Sequence, residues 1–215
     1  IRQSQKMEAV GKLAAGIAHE INNALTALLG MADLIRRGET EGDEIDIVIE
    51  EGRRAANIAK DLLMYARPEP GMLEEADMAE LIHKALKTLS NDLMIHNIRV
   101  IKNLSAVPLI LADKWQIQQV IYNLIFNARD AMPEGGILEI GLGVHGADIL
   151  LEVADSGMGI PHENLGKVFE PFFSTKNAKG TGLGLSVVQG IVKSHGWEID
   201  VANRPEGGAV FRVRL

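Results

Sequence analysis

Apolar residues recur along the first third of the chain at Met7, Val10, Ala14, Ile17, Ile21, Ala24 or Leu25, Leu28, Met31 or Ala32, and Ile35, in alternating steps of three and four. That spacing predicts a long helix with a heptad seam, from about Ile1 to Arg37, stopped by Gly38. Glu39 to Gly42 reads as a short polar loop, and Asp43 stands where a residue would cap a second helix. The second seam runs through Ile45, Val48 or Ile49, Gly52, Ala55, Ala59, Leu62 and Ala66, until Pro68, Pro70 and Gly71 end it. Two seamed helices joined by a tight turn make an antiparallel hairpin, which cannot bury both stripes by itself. Pairing with a second copy into a four-helix bundle is the expected remedy.

The pattern changes from about Glu74. Met78 to Leu89 predicts a helix, Ile98 to Asn103 a strand, and Asp113 to Met132 a long helix carrying Ile117, Val120, Ile121, Leu124, Ile125 and Ala128. Ile137 to Val144 and Ile149 to Ala154 predict a strand pair around His145 to Asp148. A glycine loop precedes a helix from Leu183 to Ser194, and strands at Trp197 to Ala202 and Ala209 to Leu215 finish the chain. Helices layered on one mostly antiparallel sheet make an α/β sandwich. The expected class is therefore α+β with two domains: a helical hairpin over residues 1–69 and a sandwich over residues 70–215, with Pro68 to Gly71 as the hinge.

Composition narrows the partners. A net charge of −7 leaves no basic stripe for a nucleic acid. The absence of cysteine rules out disulfides and thiolate chemistry and suits the cytoplasm. No apolar run is long enough to span a bilayer, so no membrane contact is expected of this stretch. The chain starts at Ile1, already in helical pattern, and reads as a piece of a longer protein.

If Ile17 is a d position and Ile21 the next a, His19 falls at f, facing solvent, with Glu20 beside it and Asn23 one turn on. A zinc reading of His-Glu-x-x-His fails, because position 23 is Asn. Two readings stay open from these residues: a polar surface for solubility, or a nucleophilic histidine, since an imidazole of ordinary pKa about 6.5 is mostly neutral near pH 7. The second needs a phosphoryl donor. Gly180, Thr181, Gly182, Leu183 and Gly184 stand directly before a helix, where backbone N–H groups and the helix end can face phosphates. The run is neither a dinucleotide fingerprint nor a Walker loop. Asn123 and Asn127 lie one turn apart, able to hold phosphate oxygens or a hydrated magnesium ion or merely to face water. Asp155, with Gly157 and Gly159 after it, ends a strand, where a carboxylate can accept from an exocyclic amine; a plain turn fits equally well.

Order and joint presence separate these alternatives. Asn123 to Ala131, Asp155 to Ile160, Phe169 to Lys176 and Gly180 to Leu185 resemble the N, G1, F and G2 boxes of sensor histidine kinases, and Ala18 to Asn23 resembles their H box. The phrasing is most similar to the nitrogen-regulation-like branch. The resemblance implies a dimeric phosphoacceptor hairpin followed by an ATP-binding domain of the Bergerat type shared by gyrase, Hsp90, histidine kinases and mismatch-repair proteins.

On that resemblance, His19 accepts the γ-phosphate of ATP, Glu20 holds its other ring nitrogen as base, and Asn23 orients water for dephosphorylating the partner. Asn127 is the Mg²⁺ ligand, Asn123 supports it, and Asp155 with Gly157 and Gly159 recognises adenine. Gly180 to Gly184 follow the triphosphate under a lid spanning roughly Phe172 to Lys179, with Lys176 or Lys179 neutralising phosphate charge. Gly207 and Gly208 resemble the last glycine motif. A response-regulator receiver domain would dock around Thr26, Ala27, Gly30 and Met31. Two departures stand out: the lid is short, and Asp130 occupies a position basic in some relatives, leaving Arg129 or Lys176 as substitutes. Three rival classes remain. A hydrolysing ATPase would need a glutamate in the N-box helix, and none stands between Asn123 and Asp130. The others are an ATP-switched scaffold and a phosphatase-dominant member.

Overall fold

A computed structural model of the chain describes residues 22–39, 42–49, 51, 52, 55, 72–174 and 182–215. Expectations for the seam before Asn22, for the second seam beyond Ala55, for the Pro68 to Gly71 linker, and for His19, Glu20, Lys176, Lys179, Gly180 and Thr181 lie outside the described residues. The chain divides into two compact units, the larger formed by Glu69–Ser174 with Gly182–Leu215.

The smaller unit holds the hairpin: α1 over residues 22–37 and α2 over residues 44–49, with residues 51, 52 and 55 also helical. Gly38 ends α1 at φ 71°, its N–H donating to Ile35 and that of Glu39 to Leu34, a close that a residue with a Cβ reaches only under strain. At the next helix start, Asp43 accepts from Ile47 through its carbonyl, and the Glu44 carboxylate accepts from the Gly42 N–H at 2.9 Å. Packing decides the open choices in the seam. Ala24 is fully buried while Leu25 is exposed, and Met31 and Val48 are half-buried where Ala32 and Ile49 are exposed. Gly52 admits the Leu28 side chain to 3.5 Å of where a Cβ would stand. Leu25 and Leu29 on α1, with Ile45 and Ile49 on α2, remain in solvent as a second apolar stripe.

The larger unit contains β1 (Glu74–Ala76), α3 (Met78–Ile95), β2 (Ile98–Leu104), β3 (Ile110–Ala112), α4 (Lys114–Asp130), β4 (Gly136–His145), β5 (Asp148–Asp155), α5 (Gly184–Ser194), β6 (Glu198–Asn203) and β7 (Ala209–Arg214). One five-stranded sheet runs β2-β4-β5-β7-β6, and β1 pairs with β3 in a separate two-stranded ribbon. Within the large sheet β2 is parallel to β4 and the other pairings are antiparallel, as expected of a mostly antiparallel sheet. The parallel pair needs a crossover, and α4 lies on it. The helix α3 packs on β2, α4 on β4 and β5, and α5 on β6.

Strict alternation in β4 buries Leu138, Ile140 and Leu142 and leaves Glu139, Gly141 and Gly143 half-buried on the other face. That second face carries charge pairs across the strands: Glu152 meets Arg212 at 2.8 Å, Arg212 meets Asp200 at 3.5 Å, and Arg214 meets Glu198 at 2.9 Å. Each pair is directly opposite in register, so the ladder fits the pleat while contributing little stability at such exposure. Capping sets the helix starts. Asp77 accepts from Ala79 and Glu80 at the head of α3, and Asp113 from Trp115 and Gln116 at the head of α4. Among the described residues no helix is long and apolar enough to cross a membrane.

Two elements differ from expectation. The helix α3 runs to Ile95, past Leu89, because Leu93 is buried and continues its apolar stripe through the polar Ser90, Asn91 and Asp92. The ribbon β1–β3 escaped detection, since strands of three residues are too short to display an alternation.

Leu124 is fully buried at the centre of α4. Its replacement by Ala removes apolar contact and leaves a cavity, costing about 3 kcal/mol of the larger unit's stability. Both tryptophans of the chain, Trp115 and Trp197, lie in that unit. Denaturant unfolding followed by their fluorescence should show the midpoint fall with an unchanged slope.

Candidate nucleotide site

The end of β5 is the fixed point of the site. Asp155 is 2 % exposed, and its Oδ1 accepts from the N–H of Gly157 at 2.8 Å and of Ala209 at 3.3 Å. A buried carboxylate is tolerated only where donors meet it, and here two backbone amides from separate segments do so. Gly208, at φ 85°, sits directly against the Asp155 carbonyl, and Gly157 directly against the Ala131 carbonyl. A Cβ at either position would collide with backbone, which cannot swing aside.

The end of α4 is tied to the same turn. The Ala131 carbonyl accepts from the Met158 N–H at 3.1 Å, joining the helix that bears Asn123 and Asn127 to the loop that bears Gly157 and Gly159. Both asparagines are half-buried, and among the described residues neither side-chain amide is hydrogen-bonded. Gly159, at φ 69°, lies 3.1 Å (as a would-be Cβ) from the Asn203 Oδ1. The Asn203 side chain clamps this turn, accepting from the Ile160 N–H at 2.8 Å and donating to the Ile160 carbonyl at 2.6 Å. Arg204 beside it reaches the Asp155 carbonyl at 3.5 Å and the Glu139 carboxylate at 3.1 Å.

The glycine loop arrives from the other side. Gly182 holds φ 64° and accepts through its carbonyl from the Phe172 N–H at 3.0 Å, so the two ends of the segment between them are clasped. Phe172 itself sits at φ 66°, a strained conformation for an aromatic residue. Helix α5 then begins at Gly184 with no side-chain cap, unlike α3 and α4, which leaves its start suited to an anion. A Cβ on Gly184 would stand 3.5 Å from the Asn123 Oδ1. Of the residues expected at the site, the structure joins Asp155 to Gly157, ties the turn that bears Gly157 and Gly159 to the end of the helix that bears Asn123 and Asn127, and brings Gly184, two residues after Gly182 and next to Leu183, to Asn123, while His19, Glu20, Lys176, Lys179, Gly180 and Thr181 lie outside the described residues and Asn23 is exposed on α1.

Arg129 does not stand available as the substitute cation. Its guanidinium meets Asp92 at 2.9 Å and Asp130 at 2.7 Å and lies over the Phe126 ring, 4.9 Å from its centroid. Burial works against its charge, but the two carboxylates outweigh burial and raise its pKa above the usual arginine value. Asn203 and Arg204 were not foreseen; the only local signal was their place at the start of the turn before Gly207 and Gly208.

Gly208→Ala should lower the larger unit's stability by about 2 to 3 kcal/mol, from positive φ and a backbone collision together. Gly143→Ala, in a strand with open space around it, should be neutral or stabilise by about 0.5 kcal/mol. Equal midpoints for the two variants in denaturant unfolding would contradict the crowding at Gly208.

Residues 9–71 match the pattern described as His Kinase A (phospho-acceptor) domain, and residues 112–215 the pattern described as Histidine kinase-, DNA gyrase B-, and HSP90-like ATPase. Sporulation kinase C of Bacillus subtilis is 34% identical over 100% of this chain and 50% of its own length. The sensor histidine kinase ZraS of Escherichia coli is 34% identical over 100% of this chain and 47% of its own length. The chain therefore spans about half the length of these curated relatives. Among solved structures, the catalytic domain of histidine kinase ThkA superposes with a TM-score of 0.62 at 32% identity, over 67% of this chain and 95% of that one. ThkA in complex with response regulator protein TrrA superposes with a TM-score of 0.81 at 29% identity, over 99% of this chain and 63% of that one. The two matched patterns in succession, with the ThkA catalytic domain at 32% identity over 95% of its length, place this chain in the sensor histidine kinase family.

Proposed function

We propose that the chain, with a hairpin over residues 1–69 and a catalytic domain over residues 70–215, uses ATP to phosphorylate His19 and passes the phosphoryl group to an aspartate of a response regulator. The observation that carries the ATP half of this reading is the buried Asp155 carboxylate at the mouth of two crowded glycine turns. Asp155 accepts from the exocyclic amine of adenine, while Gly157 and Gly159 keep the approach free of side chains. The stretch Gly180, Thr181, Gly182, Leu183 and Gly184, which leads into α5, meets the phosphates with backbone N–H groups.

Asn127 fits Mg²⁺, which prefers one or two protein oxygens plus phosphates and water over a full protein cage. Mg²⁺, when bound, would neutralise phosphate charge during transfer. Asn123 supports that position, and Lys176 or Lys179 supplies further positive charge from the lid. With Arg129 held by Asp92 and Asp130, the lid lysines are the better source of the missing cation.

The histidine chemistry balances simply. The Nε2 lone pair of neutral His19 attacks the γ-phosphorus, a P–N bond forms, the P–O bond to the β-phosphate breaks, and ADP leaves. Glu20 takes up the Nδ1 proton's hydrogen bond and stabilises the charged ring. An aspartate oxygen of the regulator then attacks the same phosphorus and the P–N bond breaks. Asn23, exposed on α1, orients water for hydrolysing the regulator's phosphoaspartate. Thr26 and Gly30, both exposed, with the half-buried Ala27 and Met31, form the docking face; a complex between the relative ThkA and a response regulator supports such a partner. The exposed stripe of Leu25, Leu29, Ile45 and Ile49 supports a homodimer, which would bury it. The alternative is a phosphatase-dominant or ATP-switched dimer with little autokinase activity.

Incubation with γ-labelled ATP and Mg²⁺ tests the reading. The parent should acquire acid-labile label and His19→Gln none, while Asn23→Ala should keep the label and lose most regulator dephosphorylation. A labelled His19→Gln would move the phosphoacceptor elsewhere. A parent that binds ATP without taking label would favour the switch or phosphatase alternative.

A further inference from the structure

His195 caps the end of α5, outside every box of the nucleotide site, and makes two directional contacts. Its Nδ1 lies 2.9 Å from the Ile191 carbonyl oxygen, and its Nε2 lies 3.2 Å from the backbone nitrogen of Asp113. A carbonyl only accepts and an amide N–H only donates. These partners assign the proton to Nδ1 and the accepting lone pair to Nε2. The imidazole also stacks on Trp197, ring centroids 4.6 Å apart, and Ser194 Oγ stands 3.5 Å from Nδ1.

Asp113 is 6 % exposed and caps α4, so its N–H depends on a protein acceptor, and His195 is one. Helices α4 and α5 pack along each other, and two contacts mark the ends of that packing. One is the His195 to Asp113 bond; the other is the approach of Gly184 to Asn123. Asn123 stands ten positions after Asp113, and His195 eleven positions after Gly184. At about 1.5 Å per residue the two spans are nearly equal, as an antiparallel pair pinned at both ends requires. A would-be Cβ on Gly184 stands only 3.5 Å from Asn123, so a slip of about one residue rise would change which atoms face each other there.

We propose that His195 is a positioning residue for ATP binding: by accepting from the Asp113 N–H it fixes the register of α4 against α5, and so the aim of Asn123 and Asn127 relative to the Gly182 to Gly184 turn. The proposal rests on the nucleotide reading of that site. Its variants separate the acceptor from the ring. His195→Phe keeps a ring for Trp197 and has no acceptor. His195→Gln places an amide oxygen about where Nε2 stands.

The test is calorimetric titration of the 215-residue chain with MgATP, each variant first shown to be folded by its unfolding transition. His195→Phe should weaken ATP binding about tenfold, and His195→Gln should recover all but about threefold. In the parent, ¹⁵N NMR should show the His195 proton on Nδ1. Parent-like ATP affinity in a folded His195→Phe variant, or a proton on Nε2, would overturn the proposal. If His195→Phe does not fold, failure of the folded His195→Gln variant to bind ATP within about tenfold of the parent would overturn it as well. A parent that binds no MgATP would remove the nucleotide reading itself, a result distinct from equal binding by parent and variant.

Discussion

A carboxylate buried at the end of a strand constrains everything around it. Asp155 must be met by donors, and the N–H groups of Gly157 and Ala209 meet it. For both to reach one oxygen, the turn after β5 and the turn before β7 must close on the strand end from opposite sides. That closeness leaves no room for a Cβ at Gly157 or Gly208. The glycines that read as a motif in sequence are thus, physically, the places where backbone meets backbone, Gly208 against the Asp155 carbonyl and Gly157 against the Ala131 carbonyl. In the proposed reading, that fixed acceptor suits the amine-bearing edge of a base.

The remaining parts are hung from that point. Ala131 links the N-box helix to the Gly157 turn, Asn203 clamps Gly159 and Ile160, and Gly184 brings the start of α5 to Asn123. Charge is arranged with similar economy. Arg129 is committed to Asp92 and Asp130 at the end of α4. The capped starts of α3 and α4 contrast with the uncapped start of α5, the one helix end aimed at an anion in the proposed reading.

Much of this was legible in the chain because it is local. The apolar stripe of α4 and the alternation of β4 appear at their own periods, and the asparagine and glycine positions of the site lie within single turns. What escaped is non-local or too short. The clamp from Asn203 to Ile160 spans 43 residues and the bond from His195 to Asp113 spans 82, and neither leaves a pattern at either end. The parallel pairing of β2 with β4 is likewise a property of the fold, not of either strand. The extension of α3 past Ser90, Asn91 and Asp92 shows burial of Leu93 overriding residues that by themselves favour a helix end.

The central claim, that the Asp155 carboxylate reads adenine, is tested most directly by titrating the parent chain and an Asp155→Asn variant with MgATP and with MgGTP. Asparagine keeps an Oδ1 to accept from Gly157 and Ala209 while exchanging the other carboxylate oxygen for a donor. The account predicts that the parent prefers ATP over GTP by at least about tenfold and that Asp155→Asn loses most of that preference. Equal affinity of the parent for both nucleotides, or an unaltered preference in the variant, would contradict it.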